Sequence, residues 1–229
     1  MDAMILAAGR GERMRPLTDT TPKPLLEAGG RSLIEWQLQR LRAAGIANVV
    51  INHAHLGEQI EARLGDGAAY GMRIRYSPEA RALETAGGIR QALPLFTGDV
   101  FVVVNGDVFC DIDLAPLVAR ARQLDAQGDL AHLVLVPNPT HNPEGDFACS
   151  NKRARATGPR YTFAGIGAYH AALFATLQPG QPARLGPLLH DAIARERVSA
   201  TVHPGYWLDV GTPERLAELD QHLRPACDT

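Results

Sequence analysis

The sequence predicts an α/β fold, a mostly parallel central sheet with helices on both faces. Short apolar runs alternate with helix-periodic segments through the first half of the chain, the pattern of strand–helix–strand units. The run from Asn48 to Asn52 is unbroken Val and Ile at its centre, as in a strand covered on both faces. Polar and glycine residues gather where such runs end, at Gly9 and Gly11 and again at Asn105-Gly106-Asp107. Open parallel sheets place their ligand crevice at those strand ends.

The bulk numbers narrow the setting. A chain of 229 residues with 45% hydrophobic content can bury a full core. With no repeat, low-complexity tract or long linker, one compact domain over residues 1–229 is expected. A formal charge of −2 and a pI near 6.4 give no footprint for nucleic acid or an anionic membrane. Cys110, Cys149 and Cys227 are odd in number and widely spaced, which indicates neither a disulfide framework nor a zinc site and fits a reducing compartment. The N-terminus lacks a basic region and cleavage site, and its apolar run is too short to span a bilayer. A cytoplasmic protein is expected.

The elements follow in order. Ala3 to Ala8 reads as a buried strand. Ser32-Leu-Ile-Glu35 is a capping box opening a helix that carries Ile34, Leu38 and Leu41 on one face and stops at Gly45. Asn48–Asn52 is the next strand, followed by a helix over Leu56–Leu64, a strand over Met72–Ser77 and a glycine-bearing helix over Thr85–Leu93. Val100–Val104 is the most hydrophobic strand. Leu114, Leu117, Val118, Ala121 and Leu124 line a helix with Asp113 as its N-cap. After a strand at Leu130–Val136, the stretch from Asn138 to Pro159 is rich in Pro, Gly, Asn and charge, which predicts a flexible flap or short edge strands. Tyr161–Tyr169 returns as strand, Leu185–Arg195 as helix and Val198–His203 as strand. Thr212-Pro213 opens the last helix, Thr as cap and Pro at the first helical position.

The loop after the first strand concentrates charge. Between Gly9 and Lys23 stand four basic residues (Arg10, Arg13, Arg15, Lys23) and two acids (Glu12, Asp19), a local charge of +2 in a chain of −2. A glycine-opened loop turns its N–H groups toward an anion, and side-chain cations beside it suit a polyphosphate. Neither Gly-x-x-x-x-Gly-Lys-Ser/Thr nor the third glycine of the dinucleotide fingerprint is present. Lys23 stands between Pro22 and Pro24, which stiffen the backbone around it. Asp107 and Asp209 each follow an apolar strand, so together they form a plausible Mg²⁺ pair; turn-making and helix-capping are the competing readings. His53-Ala-His55 invites metal, but no third ligand stands near it and local hydrogen bonding is the ordinary role. Leu83-Glu84-Thr85-Ala86-Gly87-Gly88 permits close approach of a base or sugar, or is simply a glycine-rich turn.

Gly9, Gly11, Arg13, Met14, Pro16, Leu17 and Thr18, followed by Pro22-Lys23-Pro24, resemble the signature of the sugar-phosphate nucleotidyltransferases. Gly106-Asp107 and the late Trp207-Leu-Asp209-Val-Gly211-Thr212 match the family's two aspartate motifs. The resemblance implies a Rossmann-like mixed sheet and a reaction in which an NTP and a sugar 1-phosphate give an NDP-sugar and pyrophosphate. It implies Mg²⁺ on Asp107 and Asp209, Lys23 and Arg15 as catalytic cations, and a nucleotide site of Ala8, Gly9, Gly11, Glu12, Arg13, Lys23, Gly87 and Gly88. The substrate side is expected at Asn105, Gly145, Asp146 and Gly165.

Within the family, Asn52-His-Ala-His-Leu, Asn138-Pro…Gly145-Asp-Phe and Phe163-Ala-Gly-Ile are most similar to members using UTP and N-acetylmuramate α-1-phosphate in peptidoglycan recycling. Mannose- or heptose-1-phosphate guanylyl transfer is the alternative. Ala86 stands where relatives often carry glycine, and Glu27 where they carry an apolar residue or proline. Two other classes remain open. Asp111-Ile-Asp113 matches the Asp-x-Asp metal motif of glycosyltransferases, and a non-catalytic nucleotide sensor could keep the fold, though sensors tend to lose the lysine or an aspartate.

Overall fold

The computed structural model describes residues 1–224, so Cys227 lies outside the described residues. The chain opens with β1 (Asp2–Leu6), an irregular loop and a small hairpin of β2 (Glu27–Ala28) and β3 (Arg31–Ser32). Then come α1 (Leu33–Ala43), β4 (Asn48–His53), α2 (Gly57–Leu64), β5 (Arg73–Pro78), α3 (Glu84–Ala92), β6 (Val100–Asn105) and β7 (Val108–Cys110). The second half holds α4 (Ala115–Ala121), β8 (Ala131–Val136), β9 (Phe147–Ser150), β10 (Arg153–Arg155), β11 (Arg160–His170), α5 (Leu185–Ala194), β12 (Val198–Val202), β13 (Trp207–Asp209) and α6 (Pro213–Leu223).

Nine strands form one sheet in the order β5-β4-β1-β6-β11-β8-β12-β10-β9. β5, β4, β1 and β6 are mutually parallel, and β12 is parallel to β8. β11 runs antiparallel to both β6 and β8, so the sheet is parallel through β6 and mixed beyond it, in keeping with the mixed, mostly parallel sheet that the family resemblance implies. Alternation along the strands sends Ala3, Ile5, Val102 and Val104 to one core with Leu38 of α1, Ile60 of α2 and Leu117 of α4. Met4, Phe101 and Val103 face a second core with Ile89 of α3 and Leu189 of α5. Both faces are thus covered, which explains why these strands read as continuous apolar runs. A third, smaller cluster joins Met14, Leu33, Val210 and Leu219.

The capping box holds: the Ser32 N–H and hydroxyl both donate to Glu35 Oε2, at 3.0 and 2.7 Å. Burial raises the Glu35 pKa, but the bonds from Ser32, Tyr70 and Arg63 outweigh it and bring it to about 2. α4 is shorter than its apolar spacing predicts. Asp113 accepts the Ala115 N–H at 2.9 Å, and Leu124 is buried from the turn that follows the helix. The flap residues take the edge-strand form: β9 and β10 pair with each other and close the sheet edge on β12, while β9 also touches β11. No described helix is long and apolar enough to cross a membrane.

Candidate active site

β1 and β6 lie side by side with Leu6 opposite Asn105, and the Gly106 N–H donates to the Leu6 carbonyl at 2.9 Å. A Cβ on Gly106 would stand 2.8 Å from that carbonyl oxygen; glycine therefore lets the chain turn tightly over β1 and deliver Asp107 to the strand ends. The charged loop arrives from the other strand. Gly11 adopts φ 63°, and its missing Cβ would meet Thr18 at 3.0 Å and the Lys23 Cβ at 3.2 Å. The Thr18 hydroxyl donates to the Gly11 carbonyl at 2.8 Å. Lys23 is packed into this loop, only 8% exposed, with Nζ 2.5 Å from Asp107 Oδ2. Removing either partner would strand the other, and for the buried ammonium that is costly.

Asp209 reaches the same place from far down the chain. β13 pairs with β7, placing Asp209 opposite Val108, and the Val210 N–H donates to the Asp107 carbonyl at 2.7 Å. The two aspartates thus share a short ribbon and line one cavity of about 310 Å³ with Arg13, Asn105 and Gly165. Asp209 Oδ1 is ion-paired with Arg215 from the first turn of α6 and lies 2.9 Å from His141 Nε2. Asp107 Oδ1 and Asp209 Oδ2 carry no described ion pair. Two carboxylates with open oxygens on one cavity fit a hard divalent cation, which takes one or two carboxylates and completes its shell with phosphate and water.

Asn105 is the junction of three cavities. Besides the aspartate cavity, one of about 340 Å³ runs past Ala8, Gly9, Lys23, Asn52, Glu79 and Thr85. Another, of about 490 Å³, runs past Gly145, Asp146, Phe163, Arg160 and Arg184. Gly165 explains how Asn105 is seated. It breaks the β11–β8 register as a bulge with φ 69°, and a Cβ there would stand 2.6 Å from the Asn105 amide nitrogen.

Several residues fall elsewhere. Arg15 pairs with Asp19 at 3.2 Å and is 63% exposed, outside the three cavities. Glu12 is exposed in a 3₁₀ turn and lines none of them either. Gly87 and Gly88 are buried inside α3, and the close approach they permit is to protein. A Cβ on Gly87 would meet the Gln181 carbonyl at 2.5 Å, and one on Gly88 would meet Glu79 Oε1 at 2.5 Å. Leu83, Glu84 and Thr85 form the cavity wall instead. His53 bonds Glu61 at 2.7 Å while His55 is exposed, so that pair does not converge on a metal. Asp113 stands one residue before Leu114, the N-cap of α4, and accepts the Ala115 N–H, while Asp111 bonds His203 at 2.5 Å, so the two carboxylates of the Asp-x-Asp motif are separately engaged by the protein.

Sequence reasoning missed a buried bridge. Asn52 accepts the Ala7 N–H at 3.0 Å and donates to Glu79 Oε1 at 2.7 Å. Glu79 Oε2 in turn accepts the Leu83 N–H at 3.0 Å. This chain ties the start of the charged loop to the wall at Leu83. A polar residue ending each of two apolar strands was the available signal. Arg215 sits three residues into a helix with a readable start, but nothing local announces His141.

Comparison with known proteins agrees with this geometry. The family model described as nucleotidyl transferase matches residues 2–145. The chain is 55% identical over 223 residues to the N-acetylmuramate α-1-phosphate uridylyltransferase of Neisseria meningitidis, covering 95% of this chain and 96% of that one. It is 33% identical over 235 residues to the protein of the same name from Caulobacter vibrioides, covering 98% and 97%. Among solved structures, one described as a glucose-1-phosphate thymidylyltransferase from Bacillus anthracis superposes with a TM-score of 0.86 at 22% identity, covering 100% of this chain and 98% of that one. The chain belongs to the nucleotidyl transferase family.

Proposed function

We propose that the chain, acting as one catalytic unit, transfers the uridylyl group of UTP to N-acetylmuramate α-1-phosphate, giving UDP-N-acetylmuramate and pyrophosphate. The observation that supports this most is the 55% identity, over nearly the full length of both chains, to a uridylyltransferase of that name. UTP use suggests the cytoplasm as the setting and recovery of a cell-wall sugar as the purpose.

In the reaction a sugar-phosphate oxygen forms a bond to the α-phosphorus as the bond to the bridging oxygen breaks, and the electron pair leaves with pyrophosphate. A phosphate monoester, with its second pKa about 6, is already ionised at neutral pH, so no general base is needed. The barrier is the meeting of two anions, and alignment with fixed positive charge lowers it. In this proposal the backbone at Ala8, Gly9 and Gly11 faces the triphosphate, with Glu12 shaping the turn. Arg13 and Lys23 neutralise reacting oxygens, and Arg15 joins them on release from Asp19. Asp107 and Asp209 would hold a divalent cation, Mg²⁺ in this reading, which would supply further charge neutralisation at the phosphates. Asn105, Gly145, Asp146 and Gly165 form the sugar side, and the Asn52–Glu79 bridge holds the wall beside the base.

The test is pyrophosphate release from four NTPs crossed with several sugar 1-phosphates. UTP with N-acetylmuramate α-1-phosphate should be turned over fastest. Preferred turnover of GTP with mannose or heptose 1-phosphate would replace this reading with guanylyl transfer, and no release from any pair would leave a nucleotide sensor.

A further inference from the structure

Transfer chemistry accounts for one anionic group on the acceptor, the phosphate that must approach Lys23 and Asp107. The cavity on the other side of Asn105 is built for something more. Arg160, Arg184 and His190 line it, and none of the three makes a side-chain hydrogen bond or ion pair among the described residues. Two acids share the cavity, Glu84 and Asp146. Asp146 is engaged internally, its Oδ2 accepting the Phe163 N–H at 2.7 Å and the Asn142 amide at 3.3 Å. Two free guanidinium groups in a wall that also offers Phe147, Phe163 and Leu189 suit a ligand that is part apolar and part anionic.

Both arginines stand on fixed backbone. Gly145 has φ 60°, and its Cβ would stand 3.0 Å from the Arg160 Cβ, so this glycine turn sets where Arg160 begins. Ala183, just before Arg184, donates to the Leu83 carbonyl at 3.0 Å, and its own carbonyl accepts the N–H groups of Ala86 and Gly87 at 2.9 and 3.1 Å. Arg184 is thereby tied to the start of α3. The site's position is set by the fold even though its side chains reach into solvent.

We propose that Arg160 and Arg184, assisted by His190, bind a carboxylate carried by the sugar and so select acidic over neutral sugar 1-phosphates. The inference rests on the acceptor assigned above, because N-acetylmuramate differs from N-acetylglucosamine by a lactyl ether that ends in a carboxylate. A planar guanidinium fork matches a carboxylate with two parallel N–H donors. The acetyl methyl and the sugar face have Phe147, Phe163 and Leu189 to pack on.

The experiment compares full-length wild type with Arg184→Gln, Arg160→Gln, the double variant and Arg184→Lys. Each is given UTP with N-acetylmuramate α-1-phosphate or N-acetylglucosamine α-1-phosphate, the latter read as a competitive inhibitor if its turnover is undetectable. Each glutamine substitution should lower kcat/KM for the acidic sugar roughly 10- to 100-fold, mainly through KM. The neutral sugar should change less than about twofold, and Arg184→Lys should recover part of the loss. Thermal melting checks that every variant is folded. Equal losses on both sugars, or an unchanged preference for the acidic sugar in the double variant, would overturn the subsite and leave the transfer reaction standing. A wild type that turns over a neutral sugar 1-phosphate and ignores the acidic one would overturn both.

Discussion

From β5 through β4 and β1 to β6 every strand runs the same way, and apart from the loop residues Arg13 and Lys23 the site residues of that half lie within a few positions of a strand end. Ala8 and Gly9 follow β1, Asn52 is the penultimate residue of β4, Glu79 follows β5, Asn105 closes β6 and Asp107 lies two residues beyond it. Beyond β6 the chain reverses in β11, folds an edge from β9 and β10, and returns Asp209 on a separate ribbon. There the site residues come from a bulge, a turn and a helix start: Gly165, Asp146 and Arg184. The parallel half presents a row of strand ends suited to a constant part such as a triphosphate. The mixed half can change its cavity by changing loops, while its strands stay paired. On the proposed reading, damage to the first half should affect every acceptor, and damage to the second should affect one acceptor more than another.

The largest effect is expected in the parallel half. Lys23→Ala should lower kcat roughly 10²- to 10³-fold, the usual cost of one lost donor at a developing charge, and should do so for any sugar 1-phosphate. Circular dichroism should show the fold retained. Unimpaired turnover would remove Lys23 from the mechanism.

Next is Asn52→Ala, which strands the Ala7 N–H and one oxygen of buried Glu79. A buried group left unpartnered costs about 1–3 kcal/mol, to be read by urea unfolding. KM for the nucleotide should rise while KM for the sugar phosphate holds. Equal rises in both would dissolve the division between the halves.

Gly165→Ala carries the corresponding test in the mixed half. A left-handed residue other than glycine costs about 1–2 kcal/mol, and the new Cβ would push on Asn105 at 2.6 Å. Because Asn105 borders all three cavities, the sugar-phosphate KM should rise most, with a smaller change for the nucleotide. A normal KM for the sugar would show that the bulge does not seat Asn105.

The same division governs what could be read in advance. Lys23, Asp107 and the glycine loop each carry a local signal: proline flanks for the first, a strand end for the second and a charge imbalance for the third. Asp209 could be proposed from its strand–helix setting and a matching motif, but its ion pair with Arg215 and its contact with His141 are a product of tertiary folding. Gly87 and Gly88 show how a glycine pair can also be required by packing. Their spacing suggested a ligand, yet the partner they make room for is the 181–183 segment in one case and the Asn52–Glu79 pair in the other. Periodicity reports which face of an element is buried and is silent on what buries it. A mixed sheet was implied by the family resemblance, but which strand reverses was not legible, since a central strand buried on both faces reads alike in either direction.

His132 offers the mildest test of whether the two halves are also separable in stability. It is 7% exposed on β8, between Ser199 at 2.9 Å and Thr201 at 2.5 Å. Burial, then the nearby Arg120 charge, lowers its pKa to about 4 from 6.5. Above about pH 8 the ring is uncharged whether folded or unfolded, so it contributes no pH dependence there. As pH falls below about 6.5 the unfolded chain takes up the proton and the folded chain does not until about pH 4, so stability is lost through that window. The loss should be about 0.7 kcal/mol between pH 7 and 6, growing to about 3 kcal/mol near pH 4. His132→Asn should flatten this part of the pH–stability curve relative to wild type. If the mixed half opens first, hydrogen exchange near pH 5 will rise in β8 and β12 while β1 and β6 remain protected. Simultaneous loss of protection in all four strands would mean that the sheet unfolds as one unit, and the contrast between its halves would then be one of function alone.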